Sequence, residues 1–397
     1  MEKPKILFLI STLTGGGAER AVCNLSTALK DRAEIDILVN ATSPYDYAHS
    51  GNVITLGMPF TKKLTLFTQL RVLFKRLSTL RRLKKTGGYD ACISFMDSSN
   101  FANILSGGRH TKVVVSERIM LSQCHDRSYR LFVHPFVRLL YPMAYRVVAV
   151  SDEAGDDLVK NFGLDSKKLM TINNGLDFDY IKKMAEDNTR IYREKGAFYF
   201  MSMGRFSPQK GHWHLVRAFA ALSKKHPEAR LIICGAGSYL DRVKMLAHEL
   251  DVDDKITFTG FCSNPYAVAA RCDAFVTASR YEGFANMLLE ALACGLPIIS
   301  TDFPSSAREI LAPDTPYTRK QRTMVEHARY GILTPVCSEE FLDAKVPLEK
   351  EEVLLARAMS SLIEDPTLRE RYARMSVERA ADFDIRSISG KWLEAIR

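Results

Sequence analysis

Two short stretches in the second half of the sequence combine cations, carboxylates and glycines in a pattern suited to phosphate chemistry. Gly204-Arg205-Phe206-Ser207-Pro208-Gln209-Lys210-Gly211 follows the apolar run FYFMSMG and places two positive charges around a Pro/Gly turn. Such side chains stabilise the negative charge of a diphosphate leaving group; a solvated surface pair is the other reading of the same residues. Ser279-Arg280-Tyr281-Glu282-Gly283-Phe284-Ala285-Asn286 follows DAFVTAS and leads into MLLEALAC, then Gly295-Leu296-Pro297. The closing Gly and Pro mark a helix stop, so the amides of Gly283, Phe284 and Ala285 stand near a helix start and are open to phosphate oxygens. Glu282 then falls in the loop and Glu290 about two turns inside the helix. A carboxylate in an apolar helix needs a partner, and either a ribose diol or a neighbouring cation would serve.

A third stretch opens the sequence. KILFLIST runs into Gly15-Gly16-Gly17-Ala18-Glu19-Arg20, followed by the helix-like AVCNLSTALK. Glycines permit close approach of backbone to ligand, and a helix start offers free amides to an anion. The spacing is not the G-x-G-x-x-G of dinucleotide sites, so a merely tight turn is the competing reading.

The elements that must hold these stretches are short apolar runs alternating with helical patterns. KILFLIST, EIDILVN, DACISFMD, KVVVSE, RVVAVSD and KLMTINNG recur through residue 175. FYFMSMG, ARLIICGAG, KITFTGF, DAFVTAS and PIISTD recur after residue 197. Continuous apolar runs indicate strands covered on both faces, and strand-helix alternation indicates parallel, doubly wound sheets. The fold class expected is α/β, with two Rossmann-like domains, residues 1–178 and 197–380, joined by a polar stretch from Asp177 to Gly196.

At 397 residues the chain has room for two cores, and its 46% hydrophobic and 25% charged content is that of a folded globular protein. No apolar run reaches the length of a membrane span, and no signal peptide is expected at MEKPKILFLIST. Eight scattered cysteines without a Cys-x-x-Cys pair suggest reduced core thiols. Residues 1–150 carry 21 Lys/Arg against 10 Asp/Glu, the remainder 34 against 36, so the net charge of +9 resides in the first half. An anionic partner is expected there.

Gly204-Arg205-(x4)-Lys210-Gly211 together with Glu282-(x7)-Glu290 resembles the donor site of the family 4 retaining glycosyltransferases, which have the GT-B fold. The resemblance extends over nearly the whole chain, through Gly15 to Arg20, Val150-Ser151-Asp152, Asn174-Gly175-Leu176-Asp177 and Cys234-Gly235-Ala236-Gly237. It implies that Arg205 and Lys210 bind the diphosphate of a UDP-sugar donor, that Glu290 binds the ribose and Glu282 donor-sugar hydroxyls, and that Phe261 holds the base through backbone atoms. It implies that the amides of Gly283 to Ala285 meet the phosphates while Gly15, Gly16 and Gly17 close over them. Reactants would occupy a cleft between the domains, with residues 381–397 returning as a helix to the first. No metal or other cofactor is expected.

The chain departs from the family where many members carry a His after the fourth N-terminal strand; here stand Ser116-Glu117-Arg118. That triplet, Gly-Gly-Ala-Glu-Arg and ISFMDSSN are similar to bacterial enzymes that add N-acetylhexosamines to polyprenyl-diphosphate-linked glycans. Glu117 and Arg118 become reaction-centre candidates, and the acceptor expected is a lipid-linked glycan in surface polysaccharide, O-antigen or glycoprotein glycan biosynthesis. A GT-B epimerase or hydrolase acting on the nucleotide sugar alone is the rival among enzymes. A basic membrane- or nucleic-acid-binding protein is the rival outside them, although the sequence holds no nucleic-acid-binding signature and nucleic acid is not an expected partner.

Three further signals have plain explanations beside functional ones. Asp177-Phe178-Asp179 matches an Asp-x-Asp metal pattern but sits at a strand-to-linker turn. His212 and His214 project from different faces of a helix start. Residues 62–85, KKLTLFTQLRVLFKRLSTLRRLKK, hold nine basic residues, no acidic one, and a leucine stripe at 66, 70, 73, 77 and 80. Such a helix suits the inner face of an anionic membrane, placing the protein in the cytoplasm as a peripheral component; a sheet-covering helix with a basic outer face is the alternative. Arg127 to Arg138, basic and aromatic, points the same way.

Overall fold

The computed structural model describes residues 3–58, 66–108, 110–124, 127–187, 193–315 and 323–397. The chain forms two compact units, Met1–Asp177 with Phe383–Arg397, and Phe178–Asp382.

The first unit contains β1 (Lys5–Leu9), β2 (Glu34–Val39), β3 (Asn52–Thr55), β4 (Ala91–Phe95), β5 (Lys112–Glu117), β6 (Arg146–Ala149) and β7 (Leu169–Thr171). They form one parallel sheet in the order β3-β2-β1-β4-β5-β6-β7. All five residues of β4 are buried, as a strand covered on both faces requires. β3 has no buried residue, and its weak apolar pattern explains why it does not stand out in the sequence.

The segment Phe383–Arg397 closes this unit. Leu176 donates its amide to Phe383 O at 2.9 Å and accepts from the Ile385 amide at 2.9 Å. A Cβ on Gly175 would lie 2.9 Å from Ile385 Cα, so only glycine permits this crossing. Helix Ile385–Ala395 then buries Ile388 and Trp392 among strand residues, with the Trp392 ring 5.5 Å from Phe95.

The second unit contains β8 (Phe198–Met203), β9 (Ala229–Cys234), β10 (Ile256–Gly260), β11 (Ala274–Thr277), β12 (Ile298–Thr301), β13 (Glu326–His327) and β14 (Ile332–Thr334). The order is β10-β9-β8-β11-β12-β14-β13, parallel except for β13 against β14. Its core is aromatic, with Phe200, Phe206, Trp213 and Phe219 buried beneath helix His212–Lys225.

Two expectations need correction. The stretch Asp177 to Gly196 is not a plain linker, because Phe178–Ala185 is a helix of the second unit. Ile181 is buried, and the Tyr180 ring meets that of Tyr266 at 6.2 Å. Asp179 of the Asp-x-Asp pattern therefore lies in a helical first turn. The basic helix spans Leu66–Thr86, and Lys62 and Lys63 lie outside the described residues. Four of its leucines serve the sheet: Leu80 is fully buried, and Leu73, Leu77 and Leu83 pack against the same cluster. No described helix is long and apolar enough to cross a membrane.

Candidate functional site

The loops that follow β8, β10, β11 and β12 all leave the C-terminal edge of the second sheet, where open α/β sheets bind ligands. After β8 the chain makes a short 3-10 turn, Pro208–Lys210, and enters helix His212–Lys225 through Gly211. Gly211 has φ 58°, and a Cβ there would lie 2.4 Å from Ala278 O, so the turn requires glycine. The Arg280 amide donates to Gln209 O at 2.8 Å, tying the loop after β11 to this turn.

That tie brings the predicted residues together. Lys210 Nζ meets Glu282 Oε1 at 2.6 Å, both side chains largely buried, and lies 3.1 Å from Met287 Sδ. Gln209 Nε2 donates to Glu282 Oε2 at 3.0 Å and to Tyr281 O at 2.9 Å. Both carboxylate oxygens of Glu282 are thereby fixed across 72 residues of sequence. Arg205, in the same turn, is exposed.

Helix Asn286–Ala293 begins four residues after Glu282, so Glu290 stands just over one turn inside it rather than the two expected. Glu290 is buried and Oε1 accepts the Tyr266 hydroxyl at 3.1 Å. Phe261, following Gly260 at the end of β10, is 81% exposed.

The loop from Gly283 to Ala285 is braced from behind. Ser306 Oγ accepts the Ala285 amide at 3.1 Å, and Ser305 Oγ donates to Gly283 O. Ala285 is therefore not open to a phosphate, a correction to its expected role, and Gly283 and Phe284 remain as the loop's candidates. Ser305 has φ 88°, a conformation L residues rarely adopt, and both serines are buried. Nothing in their immediate sequence marks them; only folding brings residues 21 and 22 positions away onto the loop.

His212 is buried and stacks on Phe206 at 4.3 Å. Burial, aided by Lys210, lowers its pKa to about 3, so it is neutral. His214, Cys337 and Glu349 lie within reach of a common ion. Hydrogen bonds account for the histidine instead: Nδ1 meets Glu352 Oε1 at 2.7 Å and Nε2 meets Ser338 O at 3.1 Å.

In the first unit, Gly15, Gly16 and Gly17 form the turn from β1 into helix Gly17–Leu29. The Glu19 carboxylate lies over Gly16, where a Cβ would come within 2.3 Å of Oε2. Glu117 and Arg118, at the end of β5, are buried. Glu117 Oε1 accepts the amides of Arg118 at 2.9 Å and Ile119 at 3.2 Å; Oε2 accepts the Tyr141 hydroxyl at 2.7 Å. Arg118 donates to Asn174 Oδ1 and to Ser116 Oγ at 3.3 Å.

Sequence reasoning missed two neighbours. Asp97, which accepts the Tyr129 hydroxyl, follows Met96, whose φ of 73° turns the chain sharply after β4. Burial raises the Glu117 carboxyl well above the usual range, and the nearby Asp97 charge raises it further; burial raises Asp97 too. Arg76 points into the sheet edge, donating to Asn40 Oδ1 at 2.7 Å, Ser98 Oγ at 3.2 Å and Ser11 Oγ at 3.3 Å. Burial lowers it to about 10, and among the described residues no carboxylate pairs with it.

Comparison with known proteins identifies the family. Residues 15–180 match Glycosyltransferase Family 4, and residues 185–321 match Glycosyl transferases group 1. A glycosyltransferase of Methanocaldococcus jannaschii, itself without assigned substrate, is 30% identical and aligns over 82% of each chain. The N-acetylgalactosamine-N,N'-diacetylbacillosaminyl-diphospho-undecaprenol 4-alpha-N-acetylgalactosaminyltransferase of Campylobacter jejuni is 28% identical over 96% of each. The crystal structure of Anabaena HepE in complex with UDP superposes with a TM-score of 0.74 at 21% identity, covering 99% of both chains.

Proposed function

The chain belongs to the family 4 glycosyltransferases, of GT-B fold, and on that premise we propose that it moves an N-acetylhexosamine or hexose from a UDP-sugar to a hydroxyl of a polyprenyl-diphosphate-linked glycan, retaining anomeric configuration. The observation that carries the donor half is the Lys210–Glu282 pair, built from two loops at one sheet edge and locked by Gln209. Lys210 retains N–H donors beyond the one given to Glu282, and with Arg205 it supplies positive charge to a departing UDP. These two cations leave no need for a divalent ion in the reading.

Glu282, held at both oxygens, is a rigid acceptor for donor-sugar hydroxyls. Glu290, whose Oε1 accepts the Tyr266 hydroxyl, binds the ribose diol. The backbone at Phe261 holds the base, and the amides of Gly283 and Phe284 meet the phosphates. No side chain of this cluster is placed as an enzymic nucleophile, which favours front-face attack assisted by the leaving phosphate. Glu117 and Arg118, being buried, shape the first unit's sheet edge from beneath.

The acceptor assignment is supported by the Campylobacter relatives, whose names specify diphospho-undecaprenol-linked glycans. It is also supported by the basic first half. Arg71, Lys75, Arg81, Arg82 and Lys85 are exposed on helix Leu66–Thr86 and attract anionic headgroups, consistent with a peripheral enzyme at the cytoplasmic face of a membrane. Screening UDP- and GDP-sugars for nucleotide diphosphate release, with and without polyprenyl-diphosphate acceptor, tests the reading. Release that requires both a UDP-sugar and acceptor is expected; rapid turnover of the nucleotide sugar alone would establish an epimerase or hydrolase instead.

A further inference from the structure

Helix Leu66–Thr86 packs Leu73, Leu77, Leu80 and Leu83 against the core, and among its described residues Phe74 is the one large apolar side chain left exposed. A larger exposed apolar surface lies elsewhere in the first unit. Helix Arg127–Phe132, helix His134–Leu140 and the turn Tyr141–Met143 run in succession. Val137, Leu140, Tyr141 and Ala144 are buried in the core beneath them. Yet Leu131, Phe132, Leu139 and Met143 are 65%, 65%, 67% and 64% exposed. A segment apolar on its inner and its outer side has more apolar surface than its own core uses.

The surrounding charge identifies what covers it. Between Arg127 and Ser151 the sequence holds Arg127, Arg130, Arg138 and Arg146 and no Asp or Glu. Aliphatic and aromatic tips that share their helices with Arg127, Arg130 and Arg138 match the boundary of an anionic bilayer: the tips enter the acyl region while the arginines stay with the phosphates. We propose that the ridge from Leu131 to Met143 inserts into an anionic membrane surface and is the contact that brings this chain to its lipid-linked acceptor. The second half of that statement rests on the acceptor reading above; insertion itself does not.

The test is flotation with vesicles of phosphatidylglycerol and phosphatidylethanolamine at low and high salt. Wild type is compared with Phe132→Ser/Leu139→Ser, with Leu131→Ser/Met143→Ser, and with Arg82→Glu/Lys85→Glu. Titration with UDP and sedimentation velocity accompany each protein. Wild type is expected to keep part of its vesicle binding at high salt. Each apolar pair should lose that part, by about tenfold per side chain, with UDP binding intact. The charge variant should lose mainly the salt-sensitive part. Apolar variants that partition like wild type would overturn the proposal, as would a wild-type dimer that these substitutions convert to monomer, since the ridge would then be a contact between copies. Vesicle binding by a protein that transfers no sugar to a polyprenyl acceptor would fault the acceptor reading and leave insertion standing.

Discussion

Both sheets share a winding order through their first five strands and end in a polar cluster at the C-terminal edge, but the clusters treat charge in opposite ways. In the second unit Lys210 meets Glu282 directly, and Gln209 takes the remaining oxygen. In the first unit's cluster no cation pairs with a carboxylate among the described residues: Glu117 accepts from amides and a phenol, Arg118 donates to Asn174 and Ser116, and Arg76 donates to hydroxyl and amide oxygens. A paired lysine can share its remaining donors with an arriving phosphate. A buried carboxyl without a cation is driven toward its neutral form. One edge is thus equipped to hold charge, the other to hold protons.

The comparison breaks most visibly if Lys210 is removed. Lys210→Ala should lower kcat/KM for acceptor-dependent UDP release by about a thousandfold, roughly 4 kcal/mol of transition-state stabilisation. Unchanged turnover would reduce the pair to a structural strut.

Glu117 sharpens the other side. Its carboxyl is raised in the folded state, so the folded protein retains a proton that the unfolded chain has released. Stability should therefore fall as pH rises from the ordinary carboxylate range through the raised value, by about 1.4 kcal/mol for each unit of displacement. Denaturant midpoints at pH 5 and pH 8 should show this decline, and Glu117→Gln should flatten it. Equal slopes in both proteins would mean that Glu117 remains charged.

The smallest effect concerns the brace. Ser306→Ala leaves the Ala285 amide without its acceptor and should weaken UDP about fivefold to tenfold, near 1 kcal/mol, while uridine binding stays constant. A parallel loss for uridine would indicate general loosening of the unit.

Much of this was legible in the sequence where chemistry and local order coincide. Glu282 and Glu290 share one loop and helix, and KVVVSE is β5 itself, because a strand buried from Val114 onward shows its burial as an apolar run. What escaped depends on tertiary placement. Ser305 and Ser306 act on a loop from the far side of β12, and their residue types are ordinary for a turn. Arg76 reads as one more cation on a basic helix, yet its position on the inward side makes it buried. The leucine stripe of that helix fitted a membrane or a sheet equally well, since both present an apolar surface. The Ala285 amide was assigned from helix-start geometry, which cannot reveal that a serine has already claimed it.

The return of Phe383–Arg397 to the first unit also bears on how the protein is made. All seven strands of that sheet have been synthesised once Thr171 is translated, but Ile388 and Trp392, which complete the core, are translated only after the entire second unit. Domains normally fold in the order of their synthesis. Here the first unit must wait, with Phe95 and the face at Gly175 uncovered, until the second has emerged. A chain that stops short has neither its closing helix nor a finished first unit, so synthesis delivers both units together or an unfinished product that exposes its own core.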